Sequence, residues 1–210
     1  MVAHIVGLVG SGCGARSFSL LVRYVLLVQV IGLFVLSGVS DVFAAGGKSV
    51  EPLVTEPDTY RTDNYRAPVP ATLKGAQVVD VGAAEDLWNA KAAVFIDVYP
   101  QPPKPPNLPE GTIWRTPSHE SIAGAHWLAN VGYGVLSPEY EGYFRAGLER
   151  LTEGDRSRPV VFFCLRDCWM SWNAARRALS WGYRNVIWFP DGTDGWKELG
   201  LPAAQIKPVS

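Results

Sequence analysis

The sequence predicts an α/β domain built on a mostly parallel central sheet with helices on both faces. Three observations lead there. Short apolar runs alternate with segments of helical period between residues 76 and 210. The runs at 92–99 and 160–163 are almost continuously apolar, as parallel strands buried on both faces are. The second of these runs stops abruptly at Cys164, and a helical pattern opens near Ser171.

Ahead of that domain lie two segments of different character. Residues 1–40 contain no Asp or Glu, and Arg16 and Arg23 carry their only formal charges. An uncharged apolar run follows from Tyr24 and ends in Ser40-Asp41-Val42-Phe43-Ala44-Ala45, where small residues suit cleavage after Ala44. Basic start, apolar middle and small-residue end describe a signal peptide over residues 1–44. The competing reading is an uncleaved anchor, because the apolar run approaches the length of a short spanning helix. Residues 45–75, rich in Pro, Gly, Thr and charge, read as an extended arm without a core of its own. Its Tyr60, Tyr65, Pro68 and Pro70 can nonetheless pack onto the domain.

Within the domain, 77–81 suggests a short strand and 83–89 a helix, followed by the strand at 92–99. Six prolines between Pro100 and Pro109 then forbid regular pairing and favour a stiff, polyproline-like loop. Its place after the C-terminal end of a strand suggests a wall beside a site, since open parallel sheets bind ligands at that edge. Residues 119–129 supply a turn and short strand. A helix is expected over 136–152, with Ser137 as its cap, Pro138 in its first turn, and Tyr140, Phe144 and Leu148 four apart. The helix at 171–181 places Trp172, Ala175 and Leu179 on one face, leaves Arg176 and Arg177 largely away from it, and stops at Gly182. A last strand at 186–189 leads through Pro190-Asp191-Gly192 to a short helix around Trp196.

Composition excludes some classes of function. A formal net charge of −1 over 210 residues carries no excess directed at nucleic acid or a membrane surface. Cleavage of the leader removes Cys13, so Cys164 and Cys168 are the cysteines of the mature chain. Export permits a disulfide between them, while a pair kept reduced by a partner is equally consistent with the sequence. Together they form a Cys-x-x-x-Cys-Trp motif at a strand-to-helix junction. Backbone N–H groups of such a loop, with the positive end of a helix dipole, stabilise a thiolate at Cys164 and lower its pKa. A buried structural pair is the plain alternative. His119 and His126 would complete a four-ligand zinc set by count, but they are seven apart around a turn without ligand spacing. No bound metal and no cofactor are therefore expected.

Several short stretches carry a resemblance. Phe95-Ile96-Asp97-Val98, Ile122-Ala123-Gly124-Ala125 and the strand ending at Cys164 occur in order. Gly182-Tyr183-Arg184-Asn185-Val186, Asp191-Gly192-Thr193-Asp194-Gly195-Trp196 and Gly200-Leu201-Pro202 follow them. From about Gln77 onward the chain resembles the rhodanese-like domain, which implies that fold over 76–210 and a nucleophile's place for Cys164. The Cys-Trp motif, the proline-rich loop and the exported N-terminus resemble a narrower bacterial family, named for its CXXCW motif and associated with pyrroloquinoline quinone-dependent catabolism of alcohols. That resemblance implies a periplasmic protein whose partners include a quinoprotein dehydrogenase or an alcohol-transport system. Departures from the sulfurtransferase pattern are clear: Leu165-Arg166-Asp167-Cys168-Trp169-Met170-Ser171 lacks the usual glycine, and Tyr99 stands where many relatives carry arginine. They argue against an ordinary thiosulfate enzyme.

Three functions compete. In sulfur transfer, Cys164 attacks a sulfane sulfur and holds it as a persulfide, steadied by the N–H groups of residues 165–169, while Arg166 attracts the donor and Cys168 resolves the product. In dithiol–disulfide exchange, both cysteines act on a thiol-bearing periplasmic partner. In the third, the domain is a non-catalytic accessory factor and the cysteines brace a loop. Cys164 and Cys168 are the candidate catalytic residues. Arg166, Asp167, Trp169, Met170, Ser171, Asp97, Asp191 and Asp194 are the candidate substrate-binding set. Trp169 is expected to flank the pocket, Asp97 to serve as a structural acceptor, and Asp191 and Asp194 to form turns that line the site. The ligand is expected to be a small sulfur donor or a protein thiol, with no nucleic acid and no membrane after cleavage.

Overall fold

A computed structural model describes residues 54–102, 105–115 and 117–210. The signal peptide and its cleavage point, Cys13, the first part of the arm, and Pro103 and Lys104 of the proline-rich loop lie outside the described residues. In chain order the elements are β1 (Gln77–Val78), α1 (Val81–Asn89), β2 (Val94–Asp97), β3 (His119–Ile122), β4 (His126–Trp127), α2 (Pro138–Thr152), β5 (Val160–Phe163), α3 (Trp169–Ser180), β6 (Val186–Phe189), α4 (Gly192–Glu198) and β7 (Ala203–Ile206). Five strands pair in the order β1-β6-β5-β2-β4, all parallel. Strands β3 and β7 form a separate antiparallel pair. No described helix is long and apolar enough to cross a membrane.

The central strands show why a continuous apolar run is needed. Alternate side chains of a strand point to opposite faces. Val160 and Phe162 of β5 pack with Phe144 and Leu148 of α2 and Trp172 and Ala175 of α3. Val161 and Phe163 join Ala84 of α1 and Trp196 of α4 on the other face. The same alternation carries Cys164, one residue past β5, onto the α2/α3 face. Both faces are therefore dry, and the sheet's C-terminal edge presents the cysteine loop.

Local chemistry shifts several boundaries from those expected. The strand expected over 77–81 is only two residues long, because the Asp80 carboxylate accepts the Ala83 amide at 2.9 Å and starts α1 at Val81. Ser137 caps α2 as its sequence suggests, and Phe144 and Leu148 are buried, although Tyr140 is exposed. Helix α3 opens at Trp169, two residues earlier than Ser171, with Cys168 as its N-cap. The stretch 119–129 splits between two sheets. Its partner β7 has no apolar alternation strong enough to be seen in the sequence: its burial alternates only between exposed and half-buried.

The arm packs onto the domain, as its Tyr60, Tyr65 and Pro68 suggest, and more deeply than those residues alone imply. Residues 54–75 contain no helix, yet they complete the α2/α3 face of the core. Leu73 is buried, and Val54, Tyr65, Ala67 and Val69 pack against the same cluster. Helix α3 holds the arm with polar side chains. Asn173 donates to the Arg61 carbonyl at 2.8 Å and accepts the Arg61 amide at 2.9 Å, and Trp172 donates to the Thr72 carbonyl at 3.2 Å. Arg176 donates to the carbonyls of Pro57 and Asp58. Arg177 is buried too, its guanidinium satisfied by the carbonyls of Val131, Tyr133 and Gly134 and lying 4.3 Å from the centre of the Tyr60 ring. Contrary to the expected placement away from the Trp172 face, the Arg176 guanidinium lies 5.1 Å from the centre of the Trp172 ring, and both arginines meet protein rather than solvent. Because Leu73 is a core residue, Leu73→Ala in the full chain is expected to cost about 2–5 kcal/mol. Urea unfolding checks this; an arm that merely rests on the surface would leave the midpoint unchanged.

Candidate functional site

The cysteine loop is held from both sides by backbone. The Cys164 carbonyl accepts the Thr193 amide at 2.8 Å and the Thr193 hydroxyl at 3.3 Å. Gly192 makes that approach possible: its φ is +53°, and a Cβ there would lie 2.2 Å from the Cys164 oxygen. On the opposite side, Asp167 adopts a left-handed conformation (φ 54°) that turns the chain back toward the arm. Arg66 and Cys168 then form an antiparallel bridge, flanked by Ala67 N–H to Asp167 O at 3.1 Å and Trp169 N–H to Tyr65 O at 2.9 Å. The arm thus adds a short strand to the edge of the loop.

This pairing changes which sulfur is activated. Of the amides expected to surround Cys164, that of Trp169 is taken by Tyr65, and that of Arg166 donates to the Asp194 carboxylate at 3.0 Å. Burial pushes the Cys164 thiol well above its usual pKa, reinforced by the neighbouring Cys168 sulfur and the Asp97 carboxylate. The lowered pKa expected at Cys164 is therefore corrected: the depressed thiol is Cys168, brought down to about 7. The Cys164 thiol beside it is the largest cause, acting against burial. The Met170 and Leu165 amides and the Arg66 charge add to it. Cys168 makes no regular capping hydrogen bond, but it stands at the N-terminus of α3, where a negative sulfur is favoured. Both cysteines are free thiols and both are buried.

The remaining candidate site residues fall into separate groups. Arg166 is tied to acids: its guanidinium meets both Glu198 carboxylate oxygens at 2.6 Å and Asp191 at 3.4 Å, which holds it firmly protonated. Asp191, Asp194, Arg166 and Asp167 do gather at one rim, beside an open cavity of 560 Å³. Trp169, Met170 and Ser171 do not. Trp169 lies under the arm, donating to the Pro68 carbonyl at 3.1 Å and packing edge-on against Trp172. Met170 is buried beside Gly132, and Ser171 is a buried bridge between the Cys168 carbonyl and the Trp188 indole. The described part of the proline-rich loop does not line this cavity.

Asp97 ends β2 fully buried, accepting from Ser121 Oγ at 2.5 Å and from the Tyr99 amide at 2.8 Å, with His119 Nε2 at 2.7 Å. It is a structural acceptor whose charge is felt by Cys164. His119 is stacked on Tyr99 with ring centres 4.7 Å apart, whereas His126 lines a different cavity with Trp88 and Lys91. Among the described residues no group of His, Cys, Asp and Glu is arranged to hold a metal. Arg66 and Tyr65 join the site from outside the motifs that the sequence singles out. Their only sequence signal is a density of Tyr and Arg between 60 and 66 that is high for a solvated linker.

The depressed Cys168 pKa has a sign-definite consequence for stability. The folded state binds the thiolate better than the unfolded chain does. The resulting stabilisation is fully present above the ordinary thiol value of 9.0 and is lost as pH falls through about 7. Under reducing conditions, urea unfolding of the wild type is expected to gain stability between pH 7 and 9 relative to Cys168→Ser. Parallel curves for the two proteins across that window would remove the assignment.

No family model matches the sequence, and no curated protein matches it. Among solved structures, the thiosulfate sulfurtransferase of Pseudomonas aeruginosa is similar to it at 16% identity with a TM-score of 0.43, over 63% of this chain and 21% of that one. The chain thus spans about a fifth of that protein's length. A rhodanese-like domain from Anabaena is similar at 18% identity with a TM-score of 0.42, over 63% of this chain and 84% of that one. The polysulfide-sulfur transferase homodimer of Wolinella succinogenes is similar at 15% identity with a TM-score of 0.38, over 62% and 79% respectively.

Proposed function

We propose that this protein is a rhodanese-like, exported thiol protein that transfers sulfane sulfur through its Cys164–Cys168 pair. The observation that carries the proposal is the placement of the two sulfurs: Cys168 stands at the N-terminus of α3 and is bridged to Arg66, while Cys164 lies buried against it. Cys168, rather than Cys164, is then the attacking group. Its thiolate attacks the sulfane sulfur of a donor, the bond from that sulfur to the leaving group breaks, and the leaving group departs with the electron pair. The product is a Cys168 persulfide anion. An acceptor thiolate takes the outer sulfur and restores the Cys168 thiolate.

A second reading has its own support in the contact between the two free thiols. If the Cys164 sulfur attacks Cys168 of the persulfide, a Cys164–Cys168 disulfide forms and hydrosulfide leaves with the Cys164 proton. A dithiol partner must then reduce the pair, which is thiol–disulfide exchange. The leader composition supports a periplasmic location. The resemblance to the CXXCW family supports a thiol-bearing periplasmic partner near a quinoprotein dehydrogenase or alcohol-transport system. Chemistry of this kind needs no cofactor.

Intact mass after treatment of the reduced full chain with polysulfide tests the proposal. Cys164→Ser is expected to gain one sulfur atom on Cys168, and Cys168→Ser to gain none. In the wild type, a gain of one sulfur supports transfer, whereas loss of two hydrogens, with the added sulfur retained only by Cys164→Ser, would select the exchange reading. No mass change in any of the three proteins would leave the accessory role.

A further inference from the structure

The cavity beside the cysteine loop is lined by Arg66, Arg166, Asp167, Asp194, Lys197 and Glu198, three cations and three acids. Formal charge is balanced, so what the cavity attracts depends on which charges are already spent. Arg166 is spent on Glu198 and Asp191. Lys197 is spent on Glu120, 2.6 Å away, and Asp194 accepts the Arg166 amide. Arg66 and Asp167 are left without an ion-pair partner among the described residues.

Position separates these two. Arg66 is bridged to Cys168 itself, through the flanking bonds of Tyr65 and Ala67, so its backbone cannot move independently of the nucleophile's. Its side chain is exposed and faces the cavity. Of the pair, it is Arg66 whose charge acts on the Cys168 sulfur. We infer that Arg66, delivered by the N-terminal arm, is the anion-binding residue of this site, taking the anionic group of a small sulfur donor at the rim of the cavity beside the cysteine loop. It occupies the role that the loop arginine, neutralised by Glu198 and Asp191, is not free to fill. The inference deepens the thiol chemistry proposed above and rests on it only for the identity of the natural ligand. An arginine is suited to the task because its planar donors meet an oxyanion at two points while keeping their charge at any physiological pH.

The test uses alkylation, which requires no sulfur transfer. The reduced full chain is treated with iodoacetate, an anion, and with iodoacetamide, its neutral counterpart, and the modified cysteine is identified by peptide mapping. For Cys168, the ratio of the iodoacetate rate to the iodoacetamide rate is expected to fall about 3- to 10-fold in Arg66→Gln, with the midpoint of the pH profile moving up. Arg66→Lys is expected to keep most of the ratio, and added salt is expected to erode it in the wild type. An unchanged ratio in Arg66→Gln overturns the inference, as does a wild-type ratio indifferent to salt. Equal loss in the Lys and Gln variants assigns Arg66 a packing role and overturns it too. So does a native protein whose Cys168 neither reagent reaches. If Arg66→Gln melts early, the Lys variant and the salt series decide. Failure of persulfide loading with the ratio effect intact would sink sulfur transfer and leave the anion site standing.

Discussion

The pairing of Tyr65–Arg66–Ala67 with Asp167–Cys168–Trp169 is the contact on which the rest of the site depends. Two backbone hydrogen bonds, at 2.9 and 3.1 Å, tie the arm to a loop about a hundred residues later. Edge pairing of this kind satisfies the Ala67 and Trp169 amides under the arm, which lowers the cost of burying Trp169 there. It also takes the Trp169 N–H away from the sulfurs. The loop is consequently a poorer cradle for an anion at Cys164 than its motif suggests, while Cys168 sits at the helix terminus.

The opposite wall works by close approach. Thr193 grips the Cys164 carbonyl only because Gly192 has no Cβ to collide with it, and Asp194 restrains Arg166 through its amide. The Asp-Gly-Thr-Asp-Gly-Trp run is thus a clamp on the cysteine loop rather than a set of isolated turn residues. Arg166, Glu198 and Asp191 seal the same rim with mutually satisfied charge. At this partly exposed position the ion pairs contribute little stability. Their larger effect is electrostatic: they cancel the charge of the arginine closest in sequence to the cysteines, and leave Arg66 to act on the cavity.

Much of this arrangement is legible in the order of the residues alone. The alternation of apolar runs and helical periods carries the sheet and its helices, because burial on both faces leaves no polar position in Val160–Phe163. Ser137 and Gly182 signal helix ends through local hydrogen bonding and backbone freedom, whereas the cap at Asp80 is hidden inside a stretch that reads as strand. The location of the cysteine loop at the sheet's C-terminal edge follows from the strand that ends at Cys164. Illegible are β7, whose exposed alternation is weak, the inward fate of Arg177, and the placement of Trp169 under the arm. Each of these depends on a partner far away in sequence.

By itself, then, the sequence determined the α/β architecture, the two-cysteine motif and its position at a strand-to-helix junction, since these arise from periodicity and neighbouring residues. Only the tertiary structure set Cys168 beside Arg66 with Cys164 buried against it, paired Arg166 with acids while leaving Arg66 exposed, and made the arm part of the core. The physical reason is the same in all three cases. A thiol's pKa, an arginine's availability and an extended segment's burial are set by groups brought within a few ångströms by folding, and no local spacing encodes those contacts.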